Sequence, residues 1–300
     1  MKKKTYLFAL MTMVLTLGSC SDNENGIGGE TSKYITVSTI IDNMTRVATD
    51  ANGGQTFEEG DEISVYAWIG APTVAPETRE RVVNNAINKL TNGSWVSTPQ
   101  MLWKNNRDKH YFIGVYPVSA ISDLSAGEYT FDETKQVESD LLVAVNKDGL
   151  SYNVDEQQPV PLTFTHVMAK LVVNLTYKNQ WGGIPTVEKV AVGNAAKEAT
   201  INYLTKVVTP STTAKEDFSL PEITENTKYV SVIIPQEDVK QLTIVIGGKN
   251  FVYDNGTPFK LESGKITTIN LEVGRNEIKL GDVKITNWED GSTFSGEALN

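Results

Sequence analysis

The sequence predicts an all-β protein of two β-sandwich domains in tandem, and three observations carry that prediction. Short alternations of apolar and polar residues recur along the chain, Gly, Asn, Asp and Pro turn chemistry separates them, and no stretch carries a clear helical stripe. A length of 300 residues agrees with two domains at roughly 150 residues each. Apolar residues make up 40% and charged residues 21%, which excludes a disordered chain and a membrane bundle alike.

At the N-terminus, Lys2, Lys3 and Lys4 precede an apolar run from Tyr6 to Leu17. That run is shorter than the ~20 residues that span a bilayer, so it reads as a secretory signal. Leu17-Gly18-Ser19-Cys20 resembles the lipobox of bacterial lipoproteins, in which the cysteine is acylated and becomes the new N-terminus. Cys20 is the sole cysteine, which excludes an internal disulfide framework and a Cys-rich zinc site. Residues 1–19 are therefore expected to be a lipoprotein signal peptide. Residues 20–33, acidic and Gly-rich from Ser21 to Glu30, are expected to be a flexible tether. Acidic residues directly after the cysteine are similar to the surface-export signal of Bacteroidota lipoproteins; a plain periplasmic tether is the alternative. The formal charge is −10, and the three N-terminal lysines leave with the signal, so the mature chain is more acidic still. Such a chain is a poor partner for nucleic acid, whose phosphates need clustered Lys and Arg.

The first strand is read at Tyr34 to Ile41, with Ile35, Val37 and Ile41 on one face and Thr36 and Ser38 on the other. Glu62 to Trp68 places Ile63, Val65 and Ala67 opposite Ser64, Tyr66 and Trp68. Val82, Val83, Ala86, Ile87 and Leu90 fit helical spacing, yet Asn92-Gly93 follows and then Ser94-Trp95-Val96, which favours a hairpin closed by a type I′ turn. Tyr111 to Tyr116 stops at Pro117, as a terminal or edge strand does. Leu141–Val145, Val187–Val192, Tyr229–Ile234, Leu242–Ile246, Phe251–Tyr253, Ile266–Val273 and Ile278–Ile285 complete the set. In Pro161 to Tyr177, Leu162 and Phe164 share one parity, whereas Val167, Ala169, Leu171, Val173 and Leu175 share the other. A uniform strand cannot bury both sets on one face, so either a bulge or a change of sheet falls near His166. The domain boundary is placed there, giving an N-terminal sandwich at 34–165 and a C-terminal sandwich with a polar tail at 166–300.

Several blocks resemble the fimbrillin family, the pilin-like lipoproteins of Bacteroidota that build type V pili. Thr45-Arg46 follows the first strand, and Phe57-Glu58-Glu59-Gly60-Asp61-Glu62-Ile63-Ser64-Val65-Tyr66 is similar to the family's strand entry. Tyr111-Phe112 through Tyr116-Pro117, Asp140-Leu141-Leu142-Val143-Ala144, and Leu162-Thr163-Phe164-Thr165-His166-Val167-Met168-Ala169-Lys170-Leu171 come next in order. Ile285-Thr286-Asn287-Trp288 with Gly291 resembles the family's ending.

The resemblance implies two transthyretin-like β-sandwiches and assembly by donor-strand exchange. The precursor travels as a lipoprotein, its first strand is cut away after an arginine, and a strand from the next subunit fills the vacated groove. On this chain the implied cut lies between Arg46 and Val47, and the removable strand holds Tyr34, Ile35, Val37 and Ile41. A stalk subunit also donates a strand, which Ile278, Leu280, Val283 and Ile285 can supply. Their parity shifts across Gly281-Asp282, so two short strands are one reading of that segment. The implied partners are other pilin subunits, the outer membrane through the lipid, and a host or bacterial surface ligand.

No enzyme is expected. His110 and His166 are the only histidines, and nothing in their spacing brings a nucleophile and an acid together. His110 reads as a strand-edge residue and His166 as a hydrogen-bonded structural one. Glu58, Glu59, Asp61 and Glu62 lack calcium-loop spacing and read as turn chemistry, so neither a metal nor a cofactor is expected. Trp181, in Asn179-Gln180-Trp181-Gly182-Gly183, is the best candidate for a sugar platform. The competing function is accordingly a monomeric surface lipoprotein that binds glycans. The fate of Tyr34–Ile41 separates the two, being replaceable in a pilin and permanent in a glycan binder.

Overall fold

The computed structural model describes residues 33–42, 57–153, 158–254 and 256–288. Among these the chain forms β1 (Val37–Ile41), β2 (Glu62–Ile69), β3 (Arg81–Thr91), β4 (Ser94–Thr98), β5 (His110–Tyr116), β6 (Gly127–Thr130), β7 (Leu142–Leu150), β8 (Val160–His166), β9 (Ala169–Tyr177) and β10 (Val187–Ala196). It continues through β11 (Glu198–Asn202), β12 (Val207–Pro210), β13 (Lys215–Ser219), β14 (Glu222–Thr224), β15 (Lys228–Ile233), β16 (Gln241–Ile246), β17 (Lys249–Asp254), β18 (Lys265–Val273) and β19 (Ile278–Asn287). The fold is all-β, as expected. The sheets run β1-β8-β7-β5-β2-β3-β4, β14-β15-β9-β18-β19, β13-β10-β16-β17 and β12-β11-β6, stacked in a sandwich-like arrangement around buried apolar faces.

Local chemistry explains the early elements. Asn92 and Gly93 have φ of 51° and 72°, the paired positive values that a type I′ turn needs, and they close the β3–β4 hairpin. The helical spacing of Val82 to Leu90 comes from a bulge. Asn85 sits at φ 55°, and pairing with β2 slips between Val65 and Ala67, so the buried positions step from Arg81 and Val83 to Ala86 and Asn88. The phase change near His166 is a change of sheet. Leu162 and Phe164 on β8 face one core, and beyond His166 the chain enters β9, whose Ala169, Leu171 and Val173 face another.

Strand β2 shows how the seven-stranded sheet divides the interior. Ile63, Val65 and Ala67 point into a core shared with Ile35, Val37, Phe112, Leu162 and Phe164. Tyr66 and Trp68, on the opposite face, join a second core that continues into the C-terminal half through Leu171, Val192 and Ile244. Pairing also crosses the halves, because β6 lies antiparallel to β11.

Tyr66 pins the loop after β5. Its hydroxyl accepts the Ile121 N–H at 2.9 Å and donates to the Ser119 carbonyl, while Arg81 Nη1 donates to the Ile121 carbonyl at 2.7 Å. Burial pushes the phenol above its ordinary pKa, so it stays neutral. Tyr66→Phe leaves a buried N–H and a carbonyl without this partner. It should lower stability by about 1–3 kcal/mol, read as a lower urea midpoint at unchanged slope.

Candidate assembly site

Strand β1 joins the two ends of the seven-stranded sheet. Along one side it pairs in parallel with β8, from Val37 opposite Val160 to Ile41 opposite Phe164. The ladder is extended by the Val160 N–H to Thr36 carbonyl bond and the Asp42 N–H to Phe164 carbonyl bond, both 2.8 Å. On the other side the chain just past β4 comes to meet it. Tyr34 bridges Leu102 antiparallel, Ile35 N–H donates to the Met101 carbonyl at 2.9 Å, and Trp103 N–H donates to the Lys33 carbonyl at 3.1 Å. Farther along, Trp95 Nε1 donates to Thr39 Oγ1 at 3.0 Å.

The period of two then decides what the strand buries. Ile35 and Val37 are 2% and 6% exposed, Thr39 and Ile41 are half-buried, and Tyr34 and Ile40 face outward. The groove floor beneath consists of Val160, Leu162 and Phe164 with Val65 and Phe112. Gly114 is required under Phe164, since a Cβ there would lie 2.6 Å from the ring edge. Burying Ile35 and Val37 is worth roughly 1.5–3 kcal/mol each. Phe57 closes the end of the groove, edge-on to Phe164, Trp95 and Tyr116 at 5.1, 5.3 and 5.4 Å. Asp42 and Phe57 thus both rest on Phe164, one by main chain and one by ring, and the sequence between them carries Arg46.

One neighbour of this site has no signal in the sequence. Lys206, in the turn between β11 and β12, sends its ammonium to Thr165 Oγ1 at 2.9 Å, beside the end of β1. Burial and the nearby Lys147 hold its pKa below the usual lysine range, with Asp42 opposing them. Asp42, the residue that follows β1, thus faces Lys206 at the far end of the groove.

Strand β19 is the free edge of the five-stranded sheet. It is one strand, not two. A bulge at Gly281 absorbs the parity shift and sets Ile278, Leu280, Val283 and Ile285 opposite Val273, Leu271, Ile269 and Thr267 of β18. A Cβ at Gly281 would lie 3.2 Å from the Asn270 carbonyl oxygen, tighter than side chains ordinarily tolerate. The four residues form one apolar stripe, of which Ile278 is half-buried and Leu280, Val283 and Ile285 are exposed.

The remaining candidates find ordinary partners. His110 is fully buried at the start of β5, contrary to an edge position; its Nδ1 donates to the Asp108 carbonyl at 3.0 Å and its Nε2 accepts the Lys104 N–H at 3.2 Å. Burial lowers its pKa, so the ring is neutral. Glu59 accepts the Asn92 N–H and Asp61 the Glu58 N–H, each at 2.7 Å, which ties these acids to turns. Trp181 donates its indole N–H to the Val273 carbonyl at 3.0 Å and packs against Phe251. Among the described residues no group of three or more His, Cys, Asp or Glu is placed to hold a metal ion. Cys20, Arg46 and Val47 lie outside the described residues.

A family model described as Fimbrillin-like matches residues 45–288. Among solved structures the chain is similar to a candidate cell adhesion protein of Bacteroides ovatus, at 18% identity and a TM-score of 0.63, covering 85% of this chain and 98% of that one. A candidate cell adhesion protein of Bacteroides uniformis gives 18% identity and a TM-score of 0.62, with 78% and 93% covered. A fimbrial protein of Bacteroides vulgatus gives 13% and 0.51, with 84% and 99% covered. At such identities the likeness is one of fold. Among curated proteins none matches.

Proposed function

Because this chain belongs to the fimbrillin-like family, we propose that it is a structural or accessory subunit of a type V pilus on the cell surface, serving adhesion. In this reading it is exported as a lipoprotein on Cys20 and held at the outer membrane. A protease then cuts between Arg46 and Val47, β1 leaves, and a strand from another pilin subunit takes its place. Strand β19, with Ile278, Leu280, Val283 and Ile285, is the segment offered in return.

The observation that carries this reading is the position of β1. It is a short parallel strand at the edge of its sheet, covalently linked to the rest of the sandwich through the segment after Asp42, and it holds both apolar side chains and main-chain bonds that its loss would leave unmet. An edge of unpaired N–H and C=O groups above an apolar floor is a template for strand addition. The strand that replaces β1 needs the same alternation and gains the same burial.

The test is Arg46→Ala. Assembly is read as laddering on non-boiled gels of cells expressing the wild-type or variant chain. The variant should remain folded and monomeric while the wild type ladders. Equal ladders from both would show that a cut at Arg46 is not the trigger.

A further inference from the structure

Strand β19 is held by its main-chain ladder on β18 and by side-chain hydrogen bonds to that strand, from Asn270 Nδ2 to Asp282 Oδ1 at 2.6 Å and from Lys265 Nζ to Asn287 Oδ1. The partly buried Ile278 and the deeply buried Trp288, just past its end, hold it as well. Leu280, Val283 and Ile285 remain 36%, 39% and 40% exposed, whereas Trp288 is 5% exposed. The indole lies flat on His166, with ring centroids 4.1 Å apart and planes 6° from parallel. The ammonium of Lys170, a buried residue of β9, stands 5.0 Å from the indole ring. Asp140 accepts a hydrogen bond from His166 Nδ1 at 2.8 Å, which fixes the imidazole plane, and the Trp288 N–H donates to the Gly264 carbonyl at 3.1 Å.

Among the described residues, His166 Nε2 is buried without a hydrogen-bond partner. The ring is held in its plane through Nδ1, and its face carries Trp288. Lys170 adds a cation to the same indole in a place shielded from water, where such contacts are strongest. The socket also sits where the chain passes from the seven-stranded sheet to the five-stranded one, so it is anchored from both sides.

We propose that Trp288 is a clasp: seated between His166 and Lys170 it keeps β19 on β18, and its withdrawal governs how readily β19 becomes available to another subunit. This rests on the reading of β19 as the donated strand, and it assigns a regulator to that step. Unzipping from the Trp288 end must break the indole contacts first; the rest of the strand is then held by an edge ladder, the Lys265–Asn287 and Asn270–Asp282 side-chain hydrogen bonds and a half-solvated stripe.

Hydrogen exchange followed by mass spectrometry on the full chain tests the clasp, with Trp288→Ala, Trp288→Phe and Lys170→Met compared with wild type. Trp288→Ala should speed exchange across Ile278–Asn287 by roughly 10- to 100-fold while β2 and β16 stay protected. Trp288→Phe keeps a ring on His166 and should fall between alanine and wild type. Lys170→Met removes the cation but keeps an apolar stem; it should speed exchange by a few-fold, and it decides the matter if the alanine variant does not fold. Unchanged protection of β19 in the folded variants overturns the clasp, whatever assembly does. Assembly of the same variants separates the two readings. Faster laddering with faster opening supports both, and an opened β19 with wild-type laddering leaves the physical clasp standing while removing β19 as donor.

Discussion

Ile35→Ala combined with Val37→Ala is expected to destabilise the N-terminal half by about 3–6 kcal/mol, because each truncation leaves a cavity above Leu162 and Phe164. Against a typical total of ~5–15 kcal/mol that is a large share. The two sites are next-but-one on the same strand, so their effects need not add. Thr36→Ala with Ser38→Ala touches the outward face of the same strand and should stay within about 0.5 kcal/mol of wild type. Urea unfolding of both pairs makes the comparison. Equal midpoints would mean that β1 lies on the sheet without closing it.

Removing β1 altogether should have the larger effect, and it should be reversible in trans. A chain cut after Arg46 loses Ile35 and Val37 from the core and strands the β8 groups that bonded Thr36 and Asp42. A synthetic peptide of residues 34–42 restores the alternation, the ladder and the acid that faces Lys206. At a hundred times its Kd it should return about 2.7 kcal/mol, so the thermal midpoint climbs with peptide concentration. A peptide with serine at the Ile35 and Val37 positions lacks the apolar plug and should leave the midpoint where it was. A cut chain as stable as the intact one, and indifferent to peptide, would place the core's closure elsewhere.

The closing strand was legible because Ile35, Val37 and Ile41 share one parity and Thr36 and Ser38 the other, although Thr39 and Ile40 break the pattern. The β3–β4 hairpin was legible for a similar reason, as Asn92-Gly93 specifies the turn without help from distant residues. Bulges were what local reading handled worst. An extra residue near Asn85 makes a strand imitate helical spacing, and one at Gly281 makes a single edge strand look like two. The seam residues Met101 to Trp103 carried no signal because their partners, Lys33 to Ile35, lie far away in sequence. Lys206 was invisible on the same ground, since only the fold brings the β11–β12 turn to the end of β1. Short strands such as β6, β12 and β14 bury too little to show a period.

The central claim is that β1 is a temporary occupant of its groove, and the N-terminus of the assembled subunit tests it most directly. Ladder bands excised from a non-boiled gel are subjected to N-terminal sequencing. The account predicts that subunits in the polymer begin at Val47, with residues 34–42 gone. Assembled subunits that still carry Tyr34 to Ile41 and begin at Cys20 would contradict it.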